Sequence, residues 1–196
     1  LLGGVSGGEV TVGELHAHGD FGLGTFNSLD GEMIILDGMC YQLRSDGTAR
    51  VAADTEQTPF AAVTYFNPQT TSAVDTPMTY RQLDTFVSEQ IPSHNLNYAI
   101  RITGDFSTVR TRTVARQHKP YPPLTEAAEG QAESTFTDIT GTLAGYLSPS
   151  YEQGITVAGY HLHFLDDSRT RGGHCLDFTL TAGTVEIDTI TALHLS

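Results

Sequence analysis

The amino-acid sequence predicts an α+β protein in which β-strands dominate and two or three short helices lie on the outside. Three observations lead to this class. Asp-Gly turn signals recur between apolar segments of strand length, helical spacing is limited to short stretches, and no internal repeat is visible. The 196 residues are enough for one large domain or for two small domains that pack tightly together.

Helices are predicted at two places in the first half of the chain. Thr11 and Glu14 have the Ser/Thr-x-x-Glu spacing of a capping box, which favours a short helix through Leu15 to about His18. Residues 78–91 have apolar side chains at helical spacing and are followed by a proline, so they form the second predicted helix.

Strands are predicted over most of the remaining first half. Asp-Gly pairs supply the positive φ angles of tight hairpin turns, and three such pairs punctuate the chain between residues 30 and 47. Residues 32–51 are therefore interpreted as a β-meander, and residues 59–66 as a further strand. Residues 97–106 and 108–115 are predicted to be two paired strands.

A proline-led loop that enters a short helix, at residues 119–133, is the predicted link between two halves of the molecule. The predicted domains are accordingly residues 1–118, an N-terminal mixed-sheet half, and residues 119–196, a β-rich half. The strands predicted in the second half are 135–147, 154–164, 175–181 and 184–193.

Composition limits the partners and the location of the chain. A net charge of −13, with only 10 basic residues, is unfavourable for binding nucleic-acid phosphates. No apolar run approaches the roughly 20 residues that span a membrane, so no membrane partner is expected. Cys40 and Cys175 are interpreted as reduced, buried thiols of a cytoplasmic protein. The chain begins at Leu1 rather than at methionine, so a processed, secreted form stays open.

Histidines form two His-x-His pairs, and strand geometry distinguishes them. In a strand, residues i and i+2 face the same way, so His161 and His163 are predicted to project together. A hairpin return would bring His174 beside them, which gives a three-nitrogen group typical of a catalytic zinc site with an open position. His16 and His18 fall at a predicted helix end, where such a pair points apart.

Two further groups have both a functional and a structural interpretation. Arg110 and Arg112 share a strand face, where guanidinium groups could bind an anionic substrate or simply form a solvated edge. Glu32 begins an apolar strand, where it is either a site carboxylate or a surface residue. The residues alone leave both alternatives open.

Three segments, at residues 18–38, 108–126 and 141–178, resemble the alpha-acetolactate decarboxylase family in order and spacing. The last is the most specific, because it contains HLHF followed by GGH. The resemblance implies two packed halves built on mixed sheets, with Zn²⁺ between them, and a homodimer. The implied site residues are the metal ligands His161, His163 and His174, the catalytic residues Glu32 and Arg112, and the substrate-binding residue Thr25.

The function implied by the resemblance is zinc-dependent decarboxylation of 2-acetolactate, a small 2-hydroxy-3-keto acid, to acetoin and carbon dioxide. In the hypothesis drawn from it, the metal chelates the ketone and 2-hydroxyl oxygens and stabilises an enediolate. Arg112 orients the carboxylate and Glu32 handles a proton. The resemblance also implies a segment after Ser196 that contributes another carboxylate, a role assigned to no residue here.

Two alternatives to this function remain. The same three histidines could serve another zinc enzyme, such as a hydrolase that uses a metal-bound water. They could also belong to a non-catalytic binding module that carries a zinc ion.

Overall fold

The computed structural model describes residues 7–117 and 131–194, and strands dominate it, which confirms the α+β class. The helices are α1 (Val12–His16) and α2 (Tyr80–Ser88). The strands are β1 (Val10–Thr11), β2 (Phe21–Thr25), β3 (Glu32–Leu36), β4 (Met39–Leu43), β5 (Ala49–Val51), β6 (Gln57–Thr58), β7 (Phe60–Thr64), β8 (Thr70–Val74), β9 (Met78–Thr79), β10 (Asn97–Thr113), β11 (Ala132–Ser148), β12 (Gly159–Asp166) and β13 (Gly172–Ile190). No helix in the described part of the chain is long and apolar enough to cross a membrane.

The larger sheet closes on itself. Its order is β10-β11-β12-β13-β8, and β10 also pairs with β13, so the four strands β10 to β13 form a ring. One row of paired residues runs from Glu133 on β11 through β10, β13 and β12 and returns to β11 at Ala144. This offset of 11 residues along β11 is the stagger that a closed, tilted barrel requires.

The barrel has a packed aromatic and aliphatic interior. Phe106 is the centre of an edge-to-face cluster, with ring centroids 5.5 Å from Phe164 and 5.9 Å from Phe178. Helix α2 covers this core with Leu83 and Val87, which are fully buried. Because the interior is filled, any site must lie on the outer face of the barrel.

The smaller sheet, of order β5-β4-β3-β2-β7, covers part of that outer face. It contains the predicted β-meander over residues 32–51, whose turns carry the expected positive φ angles at Gly31, Gly38 and Gly47. A second apolar cluster joins the two sheets, and it includes Phe21, Leu43, Ala99, Ala144 and Leu165.

Every strand ladder among the described residues is antiparallel. Parallel pairing, which a mixed sheet would contain, occurs there only as an isolated bridge between Gln153 and Thr156. The larger sheet takes strands β8 to β10 from before residue 118 and β11 to β13 from after it. The larger sheet therefore crosses the predicted domain division at residues 118 and 119, whereas the smaller sheet lies wholly before it, and the division itself stays a prediction.

Two predicted strand breaks were wrong, at residue 107 and at residues 182–183. Residues 97–113 form a single strand rather than two, and residues 172–190 form a single strand rather than the pair at 175–181 and 184–193. Gly104 pairs with both Gly141 and Gly183, so three adjacent strands carry glycine in one row. These glycines allow close strand contact where the sheet bends, next to register shifts at Asp105 and Phe106.

Smaller differences concern element ends. Thr11 and Glu14 form the predicted capping box, but α1 ends at His16 rather than near His18. Helix α2 lies within the predicted range 78–91, and β12 begins at Gly159 rather than at residue 154. Most of the predicted link at 119–133 lies outside the described residues, and β11 begins at Ala132.

Candidate active site

The ring of strand pairings places the candidate residues next to one another on the outer face of the barrel. His163 on β12 lies opposite His174 on β13, and His174 in turn lies opposite Arg112 on β10. His161 is two residues before His163, on the same face of β12. Tyr160, Leu162 and Phe164 pack into the barrel core instead, as strand alternation predicts.

The three histidines form a compact group. Their ring centroids are 5.1 Å apart for His161 and His163, 5.0 Å for His161 and His174, and 5.3 Å for His163 and His174. One ligand nitrogen from each ring lies within 4.8 Å of the others. The structure thus brings together the three predicted ligands in an arrangement that could hold a metal ion.

His163 is oriented by the smaller sheet. Its Nδ1 lies 2.7 Å from the main-chain carbonyl oxygen of Met33, and because a carbonyl can only accept, Nδ1 must donate the proton. The lone pair is therefore on Nε2, which is buried without a hydrogen-bond partner. A carbonyl bonded to the far nitrogen is the usual support of a metal-binding histidine, so this orphaned atom fits a metal.

The charge state of the three rings also fits metal binding. Burial lowers the pKa of His161 to about 4, with a further contribution from the Arg112 guanidinium. Burial, His161 and Arg112 lower the pKa of His174 to about 3, and burial lowers that of His163 well below its ordinary value. The rings are neutral at pH 7, which is the form that binds a metal.

Glu32 approaches the group from strand β3. Its Oε2 lies 3.6 Å from His163 Nε2, and its side chain is 16% exposed. Burial raises the pKa of Glu32 to about 7, while the Arg112 guanidinium acts in the opposite direction. A carboxyl group with such a pKa can both donate and accept a proton near neutral pH.

Arg112 is partly buried, and its charge acts on Glu32 and on all three histidines. Its cross-strand neighbours are His174 on one side and Glu133 on the other. Arg110, two positions earlier, is exposed. The guanidinium is therefore the cationic group beside the candidate metal ligands.

Thr25 lies beside Glu32 in the β2–β3 ladder and is buried. Its hydroxyl donates a 2.7 Å hydrogen bond to the carbonyl oxygen of Gly31, in the turn that leads into Glu32. The hydroxyl oxygen can still accept a hydrogen bond, so a role in substrate binding stays a prediction.

The other His-x-His pair is separate from this group. His16 is the last residue of α1, with Nε2 3.8 Å from a carboxylate oxygen of Asp54, and His18 is exposed. Neither belongs to the group of potential metal ligands found among the described residues. Cys40 and Cys175 are free and buried, as predicted.

Sequence reasoning missed two contributors to the site. The carbonyl of Met33 left no signal, because every residue has a carbonyl group. Asp166, which is 2% exposed and accepts several hydrogen bonds in the β12–β13 turn, had a local signal in the Asp-x-Ser pattern at residues 166–168.

Comparisons with known proteins identify the family of the chain. The family model described as alpha-acetolactate decarboxylase matches residues 1–196. The chain belongs to the alpha-acetolactate decarboxylase family. Its relatives bear the name of a carboxy-lyase, so the chain is a member of an enzyme family.

Individual members of the alpha-acetolactate decarboxylase family are similar over nearly the whole chain. The enzyme of Methylococcus capsulatus is 50% identical over 96% of this chain and 72% of its own length. That of Bacillus subtilis is 47% identical over 95% of this chain and 73% of its own length. A crystal structure of the B. subtilis enzyme superimposes with a TM-score of 0.97 and 45% identity, covering 100% of this chain and 83% of that one.

Proposed function

We propose that this chain catalyses the decarboxylation of 2-acetolactate to acetoin and carbon dioxide, with Zn²⁺ bound by His161, His163 and His174. The observation that supports it most directly is the group of three neutral, converging imidazoles beside Glu32 and Arg112. Family membership supports the substrate and the reaction class.

The reaction breaks the bond between the carboxylate carbon and the 2-carbon and leaves an electron pair on the substrate. A bound divalent metal would supply a Lewis acid for the ketone and 2-hydroxyl oxygens and so lower the cost of that charge. One proton must then be added at carbon to give acetoin.

Arg112 would bind the substrate carboxylate. Its planar guanidinium can make two parallel hydrogen bonds to a carboxylate, which fixes the direction in which carbon dioxide leaves. It is the cationic group adjacent to the three histidines, in a chain with a net charge of −13. Guanidinium groups are not deprotonated in proteins, so the proton must come from another group.

Glu32 would move the proton. Its raised pKa of about 7 lets the carboxyl group accept a proton and return one under the same conditions. Met33, the next residue, holds His163 through its main-chain carbonyl. In this proposal one strand, β3, would carry both the acid–base group and the support for a ligand.

The proposal is tested by adding racemic 2-acetolactate to the purified chain and following acetoin. Acetoin should form with Zn²⁺ present, stop after treatment with a chelator, and return when Zn²⁺ is restored. Full activity in thoroughly chelated protein would contradict the metal requirement. Stoichiometric Zn²⁺ without any acetoin would contradict the catalytic function and favour a binding module.

A further inference from the structure

The ladder that places His163 opposite His174 is very short. It consists of three residue pairs, His163 with His174, Phe164 with Gly173, and Leu165 with Gly172. The neighbouring β11–β12 ladder extends from Gly141 to Ser148. The three pairs close the barrel, yet they offer few hydrogen bonds of their own to fix the register.

Register matters here because side chains alternate across a strand. A slip of β13 by one residue would turn His174 into the packed interior and bring Gly173 or Cys175 to the outer face. The group of three nitrogens would then be reduced to two. The long β10–β13 ladder fixes the rest of β13, but it shifts register between Arg110 and Thr111 and leaves only Thr111–Cys175 and Arg112–His174 beyond the shift. The turn before Gly172 is therefore the other feature that can hold His174 in register.

Asp166 is placed to hold it. It ends β12, is 2% exposed, and its Oδ1 accepts hydrogen bonds from the main-chain nitrogens of Thr170 at 2.8 Å and Arg171 at 2.9 Å. Its Oδ2 accepts from the Ser168 hydroxyl at 2.6 Å and from Arg171 Nε at 3.2 Å. Both oxygens are engaged with the five-residue turn that leads into β13.

The charge of Asp166 is favoured in this place. Burial alone would raise the pKa of its carboxyl group, but the hydrogen bonds from Ser168, Arg171 and Thr170 outweigh burial and lower the pKa. Charge-assisted hydrogen bonds are about twice as strong as neutral ones. The turn is therefore built around a carboxylate.

The same turn is attached to the smaller sheet. Ala49 N donates to the Thr170 carbonyl oxygen at 2.7 Å, and Gly172 N donates to the Gly47 carbonyl oxygen at 3.1 Å. A fixed turn thus also fixes the position of β13 relative to the sheet that carries Glu32.

We propose that Asp166 is the positioning residue of the candidate metal centre: its carboxylate sets the β12–β13 register and so holds His174 against His161 and His163. The role in metal binding rests on the proposed function. The effect of Asp166 on the strand register does not, because the register can be measured in metal-free protein.

The test uses Asp166→Asn, with Asp188→Asn as the matched control. Asp188 is 5% exposed on β13, the strand of His174, and its two oxygens accept from Asn67 N and Gln69 Nε2, each at 2.8 Å. Both variants keep one carbonyl oxygen and lose a buried charge. Asp188 lies 14 positions beyond His174, so its loss should not move the histidines.

Two measurements separate positioning from general destabilisation. In metal-free protein, hydrogen exchange of the amides in the 163–174 hairpin should accelerate in Asp166→Asn and not in Asp188→Asn. In a Zn²⁺ titration, the Kd of Asp166→Asn should rise roughly 10- to 100-fold, the range measured when supporting partners of metal ligands are lost. Asp188→Asn should bind with the wild-type Kd.

Ser168→Ala gives a milder version, because Ser168 is exposed and the variant removes only one of the four hydrogen bonds to Asp166, together with the contact of Ser168 Oγ with Thr170 Oγ1. It should fold normally and raise the Kd a few-fold. Unchanged exchange and a Kd within twofold of wild type in both Asp166→Asn and Ser168→Ala would overturn the proposal. An equal change in Asp188→Asn would overturn it as well. Wild-type protein that binds no Zn²⁺ would overturn the proposed function instead, and the exchange result would still decide the role of Asp166.

Discussion

The chain contains two His-x-His pairs, each with a carboxylate close to one imidazole. The two regions are similar in that distance but differ in burial and in the number of converging imidazoles. The distance from nitrogen to oxygen is 3.6 Å for His163 and Glu32 and 3.8 Å for His16 and Asp54. The side chain of His163 is 0% exposed and that of Glu32 is 16% exposed. The corresponding values for His16 and Asp54 are 28% and 80%. A histidine close to a carboxylate therefore does not by itself indicate a metal site. The candidate site differs from the other region because its side chains are buried and because a third imidazole converges on the same point.

The largest expected effect separates the two histidine pairs. His163→Ala removes a buried, oriented ring, so bound Zn²⁺ and acetoin formation should be lost together. His18→Ala should leave both unchanged, because His18 is exposed and lies two residues beyond α1. Metal content by atomic absorption and an acetoin assay check this, and stoichiometric Zn²⁺ in His163→Ala would exclude that residue as a ligand.

The next effect separates the two carboxylates. Glu32→Gln should retain Zn²⁺ and lower kcat by roughly 100- to 10,000-fold, as expected for loss of a general acid–base group. Asp54→Asn is the matched control beside His16 and should turn over at the wild-type rate. Steady-state kinetics at saturating substrate measure the difference, and a Glu32→Gln variant with unchanged kcat would eliminate the proton-transfer role.

A smaller effect is expected for the guanidinium group. Arg112→Lys keeps the positive charge but loses the forked geometry, so kcat/KM should fall by about 100-fold. Arg110→Lys, on the same strand but exposed, should be nearly silent. A single series of progress curves compares them, and equal rates would show that Arg112 does not place the carboxylate.

The smallest effect concerns stability in the region of α1. The main-chain carbonyl oxygen of Glu56 accepts a hydrogen bond from Val12 N at the start of α1. The Glu56 side chain forms an ion pair with Arg50, and the hydrogen bonds from that guanidinium lower the pKa of Glu56. Glu56→Gln should reduce the free energy of unfolding at pH 7 by up to about 1 kcal/mol.

The pH dependence of that effect has a definite sign. Because the folded-state pKa is lowered, the stabilisation is complete above the unfolded-chain pKa of about 4.3 and is lost as pH falls through the folded value. Urea unfolding of both proteins across the acid range should show the difference disappear at low pH. A difference that is independent of pH would rule out the ion pair as its source.

Sequence could predict the parts of the site that depend on local geometry. Strand alternation put His161 and His163 on one face, and a hairpin return put His174 beside them. It could not show that Arg112 is the cross-strand neighbour of His174, because that pairing arises only when the barrel closes.

One wrong strand break falls at a glycine. The strands predicted at 175–181 and 184–193 were separated at Gly183, and a lone glycine in a sequence permits either a turn or a close strand approach. Only the pairing of Gly104 with Gly141 and Gly183 distinguishes the two. That information is held by three distant segments, so no single window of sequence contains it.

The hairpin formed by β12 and β13 has a consequence for how the molecule assembles. All the proposed ligands lie within residues 161–174, so they can meet through short-range contacts, which form quickly during folding. Glu32 is more than 100 residues away and arrives only when the smaller sheet docks on the barrel. The hairpin can therefore bring the three imidazoles together by itself, whereas Met33 and Glu32 reach them only through the smaller sheet. The orientation of His163 and the approach of Glu32 thus depend on one docking step, because Met33 and Glu32 are neighbours on strand β3.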